Sequence, residues 1–184
     1  MILHALNAVA SNTLLLTAAV VMDGLSVAIM FQKTGSLKEQ YGDFDPPDLW
    51  WGCSSYELYE YLESIGVGGR KAYQDMNRWD FFPYMESYTM LLGSLLLINT
   101  KNAGNKVPND IALLFPFVMV CDVLESGIFG YATSQYPEHR ISNTLITVAS
   151  IANQMKWTGF LLGLVLIVGL FVNNNLVSGK KKSQ

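Results

Sequence analysis

The sequence predicts an all-α fold: a four-transmembrane-helix bundle with a short helical, aromatic-rich outer loop between the first and second helices. Three observations carry that expectation. Of 184 residues, 51% are hydrophobic and only 15% are charged, and the mean hydropathy is +0.25. The charges are gathered into the connections, whereas a soluble bundle scatters them along every helix to keep its outer faces wet. Four segments reach the ~20 mostly apolar residues a helix needs to cross hydrocarbon. They run over about 13–31, 81–98, 111–131 and 144–172, in one integral membrane domain, 1–184.

The first span, Thr13 to Phe31, has no basic stretch before it and no clean small-residue cleavage site after it, so it is expected to be retained as a helix. An Arg-rich amphipathic presequence is equally absent, the first Lys or Arg being Lys33. The outer loop, 32–80, opens with a stiff Pro46-Pro47 turn and an aromatic Trp50-Trp51 pair suited to the headgroup level. Within it, "SSYELYEYLESIG" predicts a short helix that Ser54 or Ser55 can cap and Gly66 can close. Its Tyr56, Tyr59 and Tyr61 are expected along the membrane interface. From Gly68 the chain reads as one helix running down into the second span, kinked at Pro83.

Orientation follows from the basic residues of short loops. Lys101 and Lys106 lie between spans two and three, and Lys180, Lys181 and Lys182 follow span four, so both termini are expected on the cytosolic or matrix-like side. The "GKKKSQ" end resembles a dilysine endoplasmic-reticulum tag, and the same lysines also follow from the positive-inside rule alone. An organellar inner membrane and the endoplasmic reticulum both remain open.

Four acids lie at depth by helical rise: Asp23 in span one, Glu86 in span two, and Asp122 and Glu125 in span three, with Asp80 at the start of span two. Lys156, in the outer part of span four, is the one base at depth. Asp122 and Glu125 are three apart and share a helix face, as do Asn153 and Lys156. Isolated charge in hydrocarbon costs several kcal/mol, so these groups are expected to meet inside the bundle.

The bland reading of this centre is interhelical polar glue. A sharper one gives Asp122, Glu125, Lys156 and Asp80 proton-shuttling or acid–base work on a lipid headgroup. Lipid or pigment binding, with Glu86 and Asn153 among its contacts, is a third. No nucleophile with a neighbouring base accompanies the acids, which points away from an enzyme.

Other chemistry is excluded more firmly. A net charge of −3 gives no basic surface for nucleic acid. Cys53 and Cys121 form neither a CxxC pair nor a zinc site, and His4 and His139 fall on opposite sides of the membrane, so no metal is expected. "GVGGR" lacks the GK[ST] ending of a phosphate loop.

"YLESIGVGGRKAY", "DFFP", "DVLES" and the Lys156-Trp157 pair together resemble a largely uncharacterised family of small four-helix integral membrane proteins. The family pattern is Leu-Glu-x-x-Gly-x-x-Gly-Arg-x-x-Tyr, an Asp-x-x-Phe-Pro type approach to the second helix, and Asp-x-x-Glu-Asn in the third. Here the approach carries Phe81-Phe82, and Ser126 stands where the pattern has Asn. The resemblance implies the fold and nominates Glu63, Arg70, Tyr73, Asp80, Asp122, Glu125 and Lys156, with Arg70 and Tyr73 joining the ligand candidates. It brings no activity and no cofactor.

The leading expectation is a non-enzymatic integral subunit or assembly partner of a larger membrane complex, for which an organellar energy-transducing membrane is one setting. Trp50, Trp51, Tyr56 and Tyr59 would be its interface anchors, with membrane lipids and other membrane subunits as partners. The alternative is a small intramembrane enzyme or lipid-handling protein using Asp122, Glu125 and Lys156. A transporter ranks third, because no inverted repeat or broken-helix pair is visible.

Overall fold

The computed structural model describes residues 1–42, 45–103 and 107–182, with the side chains from 177 onward outside that description. Among the described residues there are seven α-helices and no strand. Helices α1 (Ile2–Ser11) and α2 (Thr13–Tyr41) are followed by α3 (Ser55–Ser64), α4 (Gly66–Trp79), α5 (Met85–Asn102), α6 (Leu114–Gln135) and α7 (Asn143–Lys182). Short 3-10 turns occupy Pro47–Leu49 and Asn109–Leu113, and a π turn, Asp80–Tyr84, joins α4 to α5. Four helical runs are long and apolar enough to cross a membrane: Thr13–Tyr41, Gly66–Asn102, Asn109–Gln135 and Asn143–Leu176. The molecule is built as an integral membrane protein.

Two helix limits differ from the sequence expectation. Residues 2–11 form an amphipathic helix of their own, broken from α2 by Asn12 in extended conformation (φ −123°, ψ 110°). Asn12 Oδ1 then caps α2 by accepting from the Leu14 and Leu15 amides at 3.0 and 3.3 Å, which satisfies two of the donors a helix start leaves free. The first span itself runs on past Phe31 to Tyr41, held there by Lys33, which pairs with Asp75 of α4. The helix containing Pro83 is interrupted as a missing N–H requires, with Phe82 leaving helical geometry (φ −150°, ψ 124°).

α6 and α7 pack along each other, α5 lies against both, and α2 leans on α4 and α5. The α6–α7 seam is close because α7 presents Gly159 and Gly163, four residues apart. A Cβ would stand 2.7 Å from Val118 at the first and 2.4 Å from Phe115 at the second. One core joins α3, α4 and the adjoining ends of α6 and α7 through Tyr59, Leu62, Tyr73, Phe129 and Ile146. At the opposite end of the bundle α1 seats Leu6 against Leu97 and Ala112, and Asn174 of α7 donates to the Asn99 carbonyl at 3.0 Å. The N-terminal helix, the α5–α6 connection and the far end of α7 therefore share one end; Lys106 and the side chains of Lys180–Lys182 lie outside the described residues. Leu14, Val20, Leu25 and Phe31 on α2, and Leu161, Val165, Val168 and Phe171 on α7, remain exposed, forming the apolar belt a bilayer would wet.

Candidate functional site

The connection between α2 and α3 does not stay at the surface. Its Pro47–Leu49 turn folds back against α7, whose residues 150, 153, 156 and 157 share one face by helical spacing. Asn153 Nδ2 donates to the Trp50 carbonyl at 3.0 Å and the Pro47 carbonyl at 3.3 Å. Lys156 Nζ and Trp157 Nε1 each donate to the Asp48 carbonyl at 3.3 Å. Ser150 Oγ accepts from the Cys53 amide at 3.0 Å. Gly52 makes this approach feasible: its φ is +119°, and a Cβ there would lie 2.6 Å from Ser150 Oγ. The side chain of Asp48 is thereby delivered to the polar centre.

That centre is an ion-paired cluster. Lys156, 8% exposed, holds Glu125, which is wholly buried, and its ammonium lies 3.2 Å from Asp122 Oδ1. Tyr88 donates to Asp122 Oδ2 at 3.0 Å. Ser126 donates to Asp80 Oδ2 at 2.9 Å, and Asn77 Nδ2 in turn donates to the Ser126 carbonyl at 2.8 Å. Ser126 thus acts as a donor to an acid. Asp48 Oδ1, Asp122 Oδ1 and Glu125 Oε1 are buried without a hydrogen-bond donor. Burial raises Asp48 above the usual carboxylate range, with the Lys156 ammonium pulling partly the other way.

Beside the cluster lies a partly open cavity of about 250 Å³. Asp48, Asp80, Asp122 and Lys156 line its polar side. Val27, Met30 and Phe31 of α2 form one apolar wall; Val118, Trp157 and Phe160 face them, and Tyr84 and Tyr88 complete the lining. Phe31 is mostly exposed and stands at the rim.

The structure brings Asp80, Asp122, Glu125 and Lys156 together and leaves other candidates outside. Glu86 is exposed and does not line the cavity. Asp80, Tyr84 and Tyr88, four residues apart, turn toward the centre, and Glu86, two residues from Tyr84, points away from it. Asp23 is half-buried and meets Ser87 Oγ, which donates to it at 3.3 Å, in place of joining the other acids. Asn153 secures the Pro47–Trp50 backbone rather than a ligand. Arg70 donates to the Leu62 carbonyl at 2.8 Å and stacks on Tyr136, and Glu63 is exposed. Tyr73 is buried beside Asp48.

The four aromatic interface candidates divide. Tyr59 is buried in the chain's own core, its hydroxyl accepting from the Ile141 amide at 2.7 Å and its ring carrying the Arg140 guanidinium. Trp50 is half-buried, edge-on to Tyr61. Only Trp51 and Tyr56 of the four are largely exposed. Tyr61 likewise packs inward, between Trp50 and Tyr73. Asp48 was not singled out from the sequence, since an acid after two prolines reads as a solvated turn; the Pro-Pro stiffening was the one available sign. Comparison of the chain with protein-family models, curated proteins and solved structures gives no match.

Proposed function

We propose that this chain is a lipid-handling integral membrane protein that binds an amphipathic molecule in the cavity beside Lys156. The observation that supports this reading is the cavity itself, apolar on its helix walls and polar at Asp48, Asp80, Asp122 and Lys156. A few convergent polar groups in an apolar concavity are what a small-molecule site requires. In this reading the Pro47–Leu49 turn lies on the outer side and borders the site through Asp48 and Leu49, and Lys101 marks the cytosolic or matrix-like side. The family resemblance and an address in the endoplasmic reticulum or an organellar inner membrane belong to the same proposal, carried only by the motifs and by the C-terminal lysines.

The test is lipid extraction and mass spectrometry of the full chain purified in mild detergent, beside a Val27→Trp variant that fills the cavity from α2. The wild type should carry a bound amphiphile that Val27→Trp loses while staying folded. Equal lipid content in the two would refute the proposal.

A subunit role in a larger complex is the second reading, supported by the exposed Trp51 and Tyr56. Changing both to Ser should then remove a copurifying protein and leave the bound lipid untouched.

A further inference from the structure

The composition of the cavity wall narrows the ligand, and the argument rests on the amphiphile-binding reading above. Charge is the first consideration. Three carboxyl groups, Asp48, Asp80 and Asp122, line the cavity, and a fourth, Glu125, lies directly behind Lys156. Lys156 is the one base in the lining, and its ammonium is committed to Glu125, Asp122 and the Asp48 carbonyl. Asp80 has a single described donor, the Ser126 hydroxyl, and Asp122 Oδ1 meets only the shared Lys156 ammonium, at 3.2 Å. Among the described residues the site is therefore short of positive charge, with four acids gathered about one lysine.

A metal ion does not answer that deficit. Among the described residues no three His, Cys, Asp or Glu side chains converge closely enough to hold one. An anionic headgroup would face three carboxyls with a lysine already engaged, which like-charge repulsion disfavours. An organic cation answers it on two counts. An ammonium supplies up to three donors, and the aromatic rings of Tyr84 and Tyr88 stand in the lining, where a desolvated cation is attracted; the Trp157 ring already carries the Lys156 ammonium. The remaining wall is aliphatic and aromatic and ends at the exposed Phe31, so an apolar body can continue out beside α2 into hydrocarbon.

We infer that the cavity takes a lipophilic amine, its protonated ammonium seated against Asp80, Asp122 and Asp48 and its apolar body lying between Val27 and Phe160. Lys156 is then a positioning residue: it holds Glu125 and Asp122 in place and presents the acids, and does not itself meet the headgroup.

Three probes of one chain length separate the outcomes: dodecylamine, dodecanol and dodecanoate. Each is titrated into the full chain in phosphatidylcholine nanodiscs, and binding is read from the concentration dependence of the apparent melting temperature. Binding that Val27→Trp abolishes is counted as cavity binding. The expected result is that dodecylamine binds about tenfold or more tightly than dodecanol, as a hydrogen bond to a charged partner would give. Asp80→Asn should erase that preference without changing the dodecanol response. Asp48→Asn, which neutralises an acid whose Oδ1 has no donor, should reduce the preference in a variant expected to fold. Equal cavity binding of amine and alcohol would overturn the amine assignment and leave the amphiphile reading standing. Preference for dodecanoate would overturn it in favour of an anion at Lys156. If no probe shows Val27-dependent binding, the amphiphile reading itself falls, and the amine assignment with it.

Discussion

Replacing Lys156 by Met tests whether the polar centre holds the bundle together. The substitution keeps the length of the side chain and removes its charge. It strands Glu125, which is wholly buried and already has one oxygen without a donor, and deprives Asp122 of an ammonium 3.2 Å away. At that separation and an effective dielectric of ~20, the Coulomb attraction to Asp122 alone is about 5 kcal/mol. Removing one partner of a buried pair costs about 3–5 kcal/mol once relaxation is allowed. In a protein of this size each kcal/mol moves the midpoint by about 2–4 °C, so a fall on the order of 6–20 °C is expected. The assay is thermal unfolding in mild detergent, with Lys38→Met as the control. Lys38 pairs with Asp45 where both side chains are partly exposed, and such pairs contribute about 0–1 kcal/mol. Adding Glu125→Gln to Lys156→Met should recover part of the loss, since a neutral amide no longer leaves charge unpaired. If Lys156→Met melts within error of Lys38→Met, the cluster does not hold the helices and the argument from buried charge is wrong.

Four further outcomes follow from particular residues. Gly163→Leu should destabilise by about 1–3 kcal/mol through overpacking against Phe115, whereas Gly169→Ala, where a Cβ meets nothing, should be neutral or stabilise by up to about 1 kcal/mol in the same melt. Asp48 binds its proton more readily in the folded state than in the unfolded one, so its contribution is full below the ordinary carboxylate range and is lost as pH rises through the raised value; Asp48→Asn should flatten that descent in a pH series of melting temperatures. Cys53 is buried and its thiol is pushed up to about 12, first by desolvation and then by Glu57 and Glu125, so it should resist maleimide at neutral pH. In a Cys53→Ser, Cys121→Ser background, cysteines at exposed Asn102 and Ser11 should label from one side of the membrane and one at Glu63 from the other; labelling of Asn102 and Glu63 from the same side would remove a span.

Length and hydropathy made the four apolar helices legible, and spacing made one part of the site legible: Asp122 with Glu125, and Lys156 as their base. Rotation was not used, and Glu86 shows the cost. Depth alone puts it inside, but Tyr84, at the end of the π turn, and Tyr88 of α5 line the cavity, and Glu86 falls between them and is exposed. Asp48 was illegible for a different reason. Its position depends on hydrogen bonds to Asn153, Lys156 and Trp157, and no local pattern reports that a turn will fold back on a helix so distant in the chain. The break between α1 and α2 has one sign in the sequence, Asn12 before an apolar run, which is a helix start signal. The Gly159/Gly163 pair was present in plain text and carries meaning only once α6 is known to be its neighbour.

The tether between the Pro47 turn and α7 spans 106 to 109 positions, and α7 leaves the ribosome after α1 to α6. Until it arrives, Glu125 and Asp122 have no counter-ion, the Asp48 segment has no anchor, and α6 lacks the close-packed face of Gly159 and Gly163. The earlier helices can insert one by one, yet the cluster is completed in a single late step. A nascent chain stalled or cut before α7 would expose unpaired acids at membrane depth, the kind of lesion that membrane quality control removes. Assembly of the polar centre is thereby gated on the arrival of α7, and products that lack this helix should be short-lived.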